Sequence, residues 1–223
     1  MTTLILAEHD NQHLDASLRH VLSAAQKLSG DVHVLVAGQG CASVAGEATK
    51  IPGVSKVLFA DGAEYKESLA ENIAPLIVSL ADAYSHILAP SSSFGKDVLP
   101  RAAALLDVAQ ISDIVAVESP DIFVRPIYAG NALATVQSSD AKKIITVRKV
   151  AFDAVSGEQP PAPIENVAPK GASPLACFVG LEATKSERPE LTSARVVVSG
   201  GRGVGSKENF AVIESLADAL NGA

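Results

Sequence analysis

The chain has 223 residues, of which 48% are hydrophobic and 19% charged, and its formal net charge is −7. This length and composition support an extensive core in one large domain, or in a domain with a smaller second piece. The acidic balance argues against nucleic acid or an anionic membrane surface as the main partner. No apolar run approaches the roughly 20 residues of a membrane helix, and a strand at 3–7 stands where a leader would begin, which predicts a cytoplasmic protein of bacterial type without direct membrane insertion.

The first half of the chain alternates strands with helices. Predicted strands lie at 3–7, 31–37, 56–60 and 86–90. Apolar residues at helical spacing predict helices from Leu14 to Gly30, at 42–50, from Leu69 to Leu80 and at 94–106. In the last of these helices we place Pro100 in the first turn, where its missing N–H costs little. Such alternation predicts an α/β fold, with a mostly parallel sheet flanked by helices.

The pattern changes after the fourth helix. Residues 111–118, 122–138 and 142–150 are predicted as consecutive strands without helices between them, which indicates an antiparallel addition at an edge of the sheet. Interruptions in the second strand place Arg125 and Tyr128 at an edge. The segment is then either an edge hairpin without a ligand or a contact for a subunit or domain.

A proline-rich stretch separates this α/β domain from the end of the chain. We predict an N-terminal domain at 1–152, a connector at 153–192 and a second domain from 193 to 223. The connector is polar and rich in alanine, with a possible short strand at 175–181, and its composition indicates flexibility.

The second domain begins with the most informative motif of the chain. Residues 194–199 are predicted as a buried strand, 200–206 as a glycine-rich turn and 208–220 as an amphipathic helix. This order is typical of anion sites, because glycines let the backbone approach closely and the helix start offers free N–H groups. The turn departs from both the dinucleotide pattern and the P-loop pattern, so a purely geometric role is equally possible. Arg202 favours a site, since its permanent charge can face an anion or stack on a ring.

No catalytic or metal-binding constellation is predicted. The serines at 91–93 follow a strand and could touch a phosphate, but capping of the next helix is the stronger interpretation. His9 and His13 stand four residues apart without the glutamate of a zinc-protease motif, which favours a solvated pair.

Three segments resemble the α subunit of electron transfer flavoprotein. They are FGKDVLPRAAALLDVAQISDI at 94–114, PDIFVRPIYAGNALATV at 120–136 and LTSARVVVSGGRGVGSKENF at 191–210. These motifs lie in both predicted domains, and the resemblance extends over the whole chain.

The resemblance implies a redox carrier rather than a substrate-converting enzyme. It implies a heterodimer with a β subunit that holds AMP, one FAD on the second α domain, and an adenine-nucleotide-hydrolase-like first domain that contacts β. Electrons would come from acyl-CoA and related dehydrogenases and pass to a membrane quinone oxidoreductase or another acceptor. In eukaryotes this family occupies the mitochondrial matrix. Arg202 matches the arginine expected beside the flavin, where a fixed cation would stabilise the reduced, anionic form.

The resemblance is incomplete at one place. The family's GQTGK and SGAIQH motifs, which supply most flavin contacts, are not in this sequence. What is present corresponds to the first strand–helix unit of a Rossmann-like FAD domain, so we expect little or no FAD on this chain alone. Two other interpretations stay open, namely a nucleotide-binding α/β enzyme and a scaffold that only docks a partner subunit.

Overall fold

A computed structural model describes residues 1–182, 188–189, 191 and 194–223. These residues form two compact units, Met1–Phe178 and Val179–Ala223. Among the described residues, no helix combines the length and apolar character that crossing a membrane requires.

The first unit is built on a seven-stranded sheet in which every strand pair is parallel. Its strands are β1 (Thr2–Leu6), β2 (Asp31–Gly38), β3 (Lys56–Asp61), β4 (His86–Pro90), β5 (Gln110–Ile114), β9 (Lys143–Val147) and β10 (Ile164–Asn166), in the spatial order β10-β3-β2-β1-β4-β9-β5. Four helices connect the early strands, and they are α1 (Ser17–Gln26), α2 (Ala42–Ala48), α3 (Ala70–Leu80) and α4 (Ser93–Leu105). The predicted α/β class with a mostly parallel sheet is confirmed.

Helices cover both faces of this sheet because side chains alternate along each strand. On β1, Ile5 packs into the core cluster that contains the apolar residues of α1 and α2. Its neighbours Leu4 and Leu6 belong to the opposite cluster, which holds those of α3 and α4. All three side chains are completely or almost completely buried. The sheet is therefore the middle layer of a three-layer unit.

Pro100 was placed wrongly in the sequence-based prediction. Helix α4 begins at Ser93, so the proline is its eighth residue and lies in the interior of the helix. Ser92 precedes the helix, and its hydroxyl accepts a hydrogen bond from the backbone N–H of Gly95 at 3.2 Å. This contact caps the first turn and confirms the predicted capping role for the serine loop.

The antiparallel part forms a sheet of its own directly after edge strand β5. It consists of β6 (Ala116–Val117), β7 (Ile122–Ile127) and β8 (Ala132–Gln137), paired in that order. The last of the three predicted consecutive strands behaves differently, because β9 returns to the large sheet between β4 and β5. Its parallel pairing there buries the apolar run from Ile144 to Val147.

Part of the predicted connector lies against the first unit. The guanidinium of Arg19 donates to the carbonyls of Val155 and Gly157, and the Gln159 amide donates to the Val54 carbonyl at 2.7 Å. Strand β10 then pairs with β3. Residues 175–181, predicted as a possible strand, form none in the structure. Residues 183–187, 190 and 192–193 lie outside the described part of the chain.

The second unit contains one α-helix within its described residues, α5 (Ala211–Ala219). Residues 194–199, predicted as a buried strand, are not a strand in the structure, and they alternate between half-buried and exposed side chains. Their backbone bonds are to the end of the chain, since Val198 N–H donates to Ala223 and Ala223 N–H donates to Val196. A strand needs a partner strand, and the described residues of this unit provide none.

Candidate functional site

The glycine-rich turn of the second unit is the main candidate site. It begins at Gly200, where an added Cβ would lie 2.9 Å from both the Phe210 ring and the Val204 side chain. A larger residue here would force these side chains to move, so glycine suits the point where the turn closes over the next helical segment. Gly205 has a φ of 83°, a left-handed conformation that side chains disfavour. Both glycines thus set the shape of the loop.

The centre of the turn is open. An added Cβ at Gly201 or Gly203 would meet no atom within 4 Å. Between these two glycines Arg202 begins a short 3₁₀ turn, which is closed by a hydrogen bond from the Gly205 N–H to the Arg202 carbonyl at 3.1 Å. The Arg202 side chain is exposed, and within the described residues its guanidinium has no hydrogen-bond or ion-pair partner.

The residues after the turn hold it in place. The Asn209 amide donates to the Val204 carbonyl at 3.0 Å, and the Asn209 N–H donates to the Ser206 hydroxyl at 3.3 Å. Hydrogen bonds from its own backbone N–H and from Ser206 lower the pKa of the Glu208 carboxyl, so it is charged at neutral pH. The site therefore carries two exposed cations, Arg202 in the turn and Lys207 after it, and the carboxylate of Glu208.

The first unit has a second feature, which the sequence-based prediction did not include. A small cavity of about 200 Å³ lies after the carboxyl end of β1, lined in part by Glu8, His9 and Phe94. In the sheet, β1 lies between β2 and β4, so the strand order reverses direction at β1. Open α/β sheets bind ligands at such a reversal. The signal in the sequence was the pair of titratable residues directly after a buried strand.

The chemistry of this cavity does not favour phosphate. Burial raises the pKa of the Glu8 carboxyl, and it lowers the pKa of the His9 imidazole. Both shifts disfavour charge, and neither residue provides the fixed cation that a phosphate prefers. The cavity therefore does not supply the anion site that a nucleotide-using enzyme would need there.

The remaining candidates have structural partners. His13 approaches Asp10 at 2.9 Å, whereas His9 accepts from the Asn11 N–H at 3.1 Å, so the two imidazoles do not form a pair. No group of three or more possible metal ligands occurs in the described ranges. Of the two residues predicted at an edge, Tyr128 is exposed and Arg125 is half-buried.

The fold and the turn together define a class of protein. It is an α/β protein whose first unit is a helix-covered parallel sheet. Its second unit carries an open, glycine-rich turn with an arginine that has no partner in the described part of the chain. The residues present fit one wall of a site for an anionic, ring-containing cofactor, because Arg202 is free to make contact and the flanking glycines leave space for it.

Comparison with known proteins narrows this class. Residues 3–172 match the electron transfer flavoprotein domain, and residues 190–223 match the electron transfer flavoprotein FAD-binding domain. The chain is 55% identical over 223 residues to the electron transfer flavoprotein subunit alpha of Pseudomonas aeruginosa, and 52% identical to that of Paracoccus denitrificans. Each alignment covers 100% of this chain and 72% of the relative. The mitochondrial subunit of Dictyostelium discoideum is 47% identical over 239 residues, covering 100% of this chain and 67% of the relative.

The chain therefore belongs to the electron transfer flavoprotein α-subunit family. The resemblance found in the three sequence motifs is confirmed over the full 223 residues.

Proposed function

We propose that this chain is the α component of a heterodimeric electron carrier that contains FAD. The observation that carries the proposal is Arg202, an exposed cation that has no partner among the described residues and lies in the part of the chain that matches an FAD-binding domain. A protein that relays electrons needs a bound redox group and groups that tune it, and it needs no nucleophile or acid–base pair of its own. We therefore assign a carrier role rather than that of a substrate-converting enzyme.

Arg202 would hold FAD in this proposal. When bound, FAD accepts and releases electrons, and the protein supplies orientation and electrostatics. The guanidinium can donate up to five hydrogen bonds in a planar fork, and its charge does not depend on pH. Gly201 and Gly203 leave the backbone accessible on either side. We expect AMP on the β subunit rather than on this chain.

The two units would have separate tasks. We assign 1–152 to contact with the β subunit, 153–192 to a connector and 193–223 to the FAD-binding domain. Acyl-CoA and related dehydrogenases are the proposed electron donors, and a membrane quinone oxidoreductase or another acceptor receives the electrons. We propose a cytoplasmic location, in line with the composition of the chain.

A nucleotide-binding enzyme, with its chemistry at 90–97 or 200–206, is the less favoured alternative, since the cavity beside the first of these loops is lined by Glu8 and by no fixed cation. A scaffold that only docks a partner would leave Arg202 without a role.

Coexpression with an electron transfer flavoprotein β subunit tests the proposal. We expect the two chains to purify together, and we expect any flavin absorbance to appear only in the complex. This chain alone should retain little or no FAD. In the complex, the Arg202→Ala variant should weaken flavin retention, because the site loses its fixed cation.

Arg195→Ala is the matched control, because Arg195 is also exposed in the second unit but lies outside the turn. Calorimetry with AMP and ATP on this chain alone completes the test. Tight nucleotide binding without a β subunit would support the enzyme alternative. Complex formation without any flavin would support the scaffold alternative.

A further inference from the structure

The first unit contains a larger cleft that the proposed electron carrier does not use. Its volume is about 350 Å³, and it lies between the start of β5 and the end of β8. Gln110 and Ile111 form one wall, Gln137 and Ser138 form another, and Arg125 reaches it from β7. This volume is at the lower end of the range for small-molecule sites in proteins.

Arg125 is held in place but is not fully paired. Its Nη2 donates to the Ser112 hydroxyl at 2.9 Å, which connects the small sheet to the edge strand of the large one. Its Nε is buried and has no hydrogen-bond partner within the described structure. A buried donor on a charged group without an acceptor is costly, because it has lost its hydration and gained nothing in return. Because Nε is buried, a ligand in the cleft would reach the guanidinium through Nη1, which is accessible and has no partner among the described residues.

The other polar groups of the cleft limit what that acceptor can be. Asp140 is part of the lining, and its carboxylate accepts from the Ala109 N–H at 3.0 Å. The side-chain amide of Gln137 donates outward to Asp121 at 2.7 Å. One guanidinium and one carboxylate therefore share the cleft. Arg125 attracts and Asp140 repels an anion in proportion to its charge, so the two largely offset each other for any anion. The cost of removing the anion from water rises with the square of its charge, which favours a monoanion over a dianion such as phosphate.

We propose that this cleft binds a monocarboxylate, with Arg125 as the group that recognises it. A carboxylate has the planar shape and acceptor geometry that match a guanidinium, and it would supply an acceptor for Nη1, which is accessible and has no hydrogen-bond partner within the described residues. The same chemistry can come from a free small acid or from an acidic side chain of a partner protein.

Side-chain NMR of arginine Nε–H groups in the full chain tests the proposal. Sodium acetate replaces sodium chloride at constant ionic strength, and the Arg125 signal is identified by its loss in Arg125→Lys. We expect a saturable shift of this signal with millimolar affinity, together with shifts of the Gln110 and Gln137 amides. Arg125→Gln should weaken binding by about tenfold or more, the loss of a hydrogen bond to a charged group. Ser112→Ala keeps the charge but removes its anchor, so it should weaken binding less.

Arg101→Gln is the matched control. Its Nε is also buried without a partner, but its guanidinium pairs with Glu71 and does not line the cleft. It should leave acetate binding unchanged. Phosphate should bind more weakly than acetate, and Asp140→Asn should reduce that difference.

Two peptides identify the source of the carboxylate. If acetyl-Gly-Glu-Gly-amide binds and its glutamine counterpart does not, an acidic side chain fits the site. If acetate binds and the glutamate peptide does not, the ligand is a free acid. The proposal is overturned if neither acetate nor the glutamate peptide gives a saturable shift of the Arg125 signal. It is also overturned if acetate shifts the Gln110 and Gln137 amides equally in the wild type and in Arg125→Gln. If that variant fails to fold, unchanged acetate binding by Ser112→Ala overturns it.

Discussion

The two units differ in how far they bury their apolar side chains. In the first unit, strands β1 and β4 are buried along most of their length between helices on both faces. In the second unit, Ala217 and Gly222 are the only buried residues among those described. Val212 of α5 is 72% exposed, and Leu216 and Leu220 are each 50% exposed. One unit carries a core on both sides of a sheet, whereas most apolar side chains in the described part of the other are exposed.

This difference bears on where function can reside. The first unit is stabilised by its many buried apolar side chains, whereas the turn with Arg202 is supported mainly by local hydrogen bonds. Regions with few buried apolar contacts open at lower free energy than the core of the same protein. The proposed cofactor contact therefore lies on the less stable of the two units, and binding would stabilise it.

The largest expected effect comes from removing matched leucines in the two units. Leu4→Ala empties a completely buried site on the central strand, and we expect it to lower the free energy of unfolding by about 2–5 kcal/mol. Leu216→Ala removes a half-exposed side chain and should cost below about 1 kcal/mol. Urea unfolding followed by circular dichroism measures both.

Hydrogen exchange on the wild-type chain adds a control that needs no substitution. Amides of β1 should exchange on the order of 100-fold more slowly than those of α5, which corresponds to a few kcal/mol of opening free energy. An equal loss of stability in the two variants, or equal exchange in the two elements, would contradict the comparison.

The fold of the first unit was largely readable from the sequence. Strands β1 to β4 and helix α3 were predicted within one or two residues, because buried parallel strands are continuous apolar runs and helices show a repeating apolar face. The position of β9 was not readable. Its sequence indicates a strand, but which neighbours it joins depends on contacts with β4 and β5, residues far away in the chain.

The candidate sites show the same limit. Arg202 could be singled out because glycines around an arginine, after an apolar run, form a local pattern. The cleft at Arg125 could not, since its walls come from separate strands and from a turn. Residues 194–199 have the composition of a strand, but a strand forms only when a partner is available. The local sequence pattern was therefore sufficient to predict the turn. It could not predict features that depend on contacts between residues far apart in the chain.

An intermediate effect is expected at the turn itself. In a flavin-loaded complex with a β subunit, Arg202→Ala should lower the midpoint potential by about 30 mV, which equals about 1.4 kcal/mol for a two-electron couple. The reason is that a fixed cation stabilises the extra negative charge of the reduced cofactor. Redox titration monitored by visible absorbance measures the change.

Arg195→Ala again serves as the control and should leave the potential close to that of the wild type, because Arg195 lies outside the turn. If both variants shift the potential equally, the general charge of the second unit is responsible. An unchanged potential in Arg202→Ala would remove this residue from the cofactor site.

The smallest expected effect is the dependence of the free energy of unfolding on pH. We expect it in the first unit, because all five histidines of the chain lie there. His86 is buried, with Nε2 2.7 Å from the Pro120 carbonyl and Nδ1 2.9 Å from the Ser85 hydroxyl. These contacts suit a neutral ring that donates from Nε2 and accepts at Nδ1. Desolvation lowers the pKa of His86, and it also lowers those of His9 and His33.

The sign of the effect follows from proton binding. Below about pH 6.5, the ordinary pKa of histidine, the unfolded chain binds protons that the folded chain resists, so stability is fully present above that pH and decreases as the pH falls. Urea midpoints at neutral and mildly acidic pH should show the decrease, and His86→Gln should reduce it. His13→Gln is the control, because Asp10 raises the pKa of the exposed His13 and its removal should leave the decrease at least as large. If His13→Gln reduces the decrease and His86→Gln does not, the buried ring is not its source.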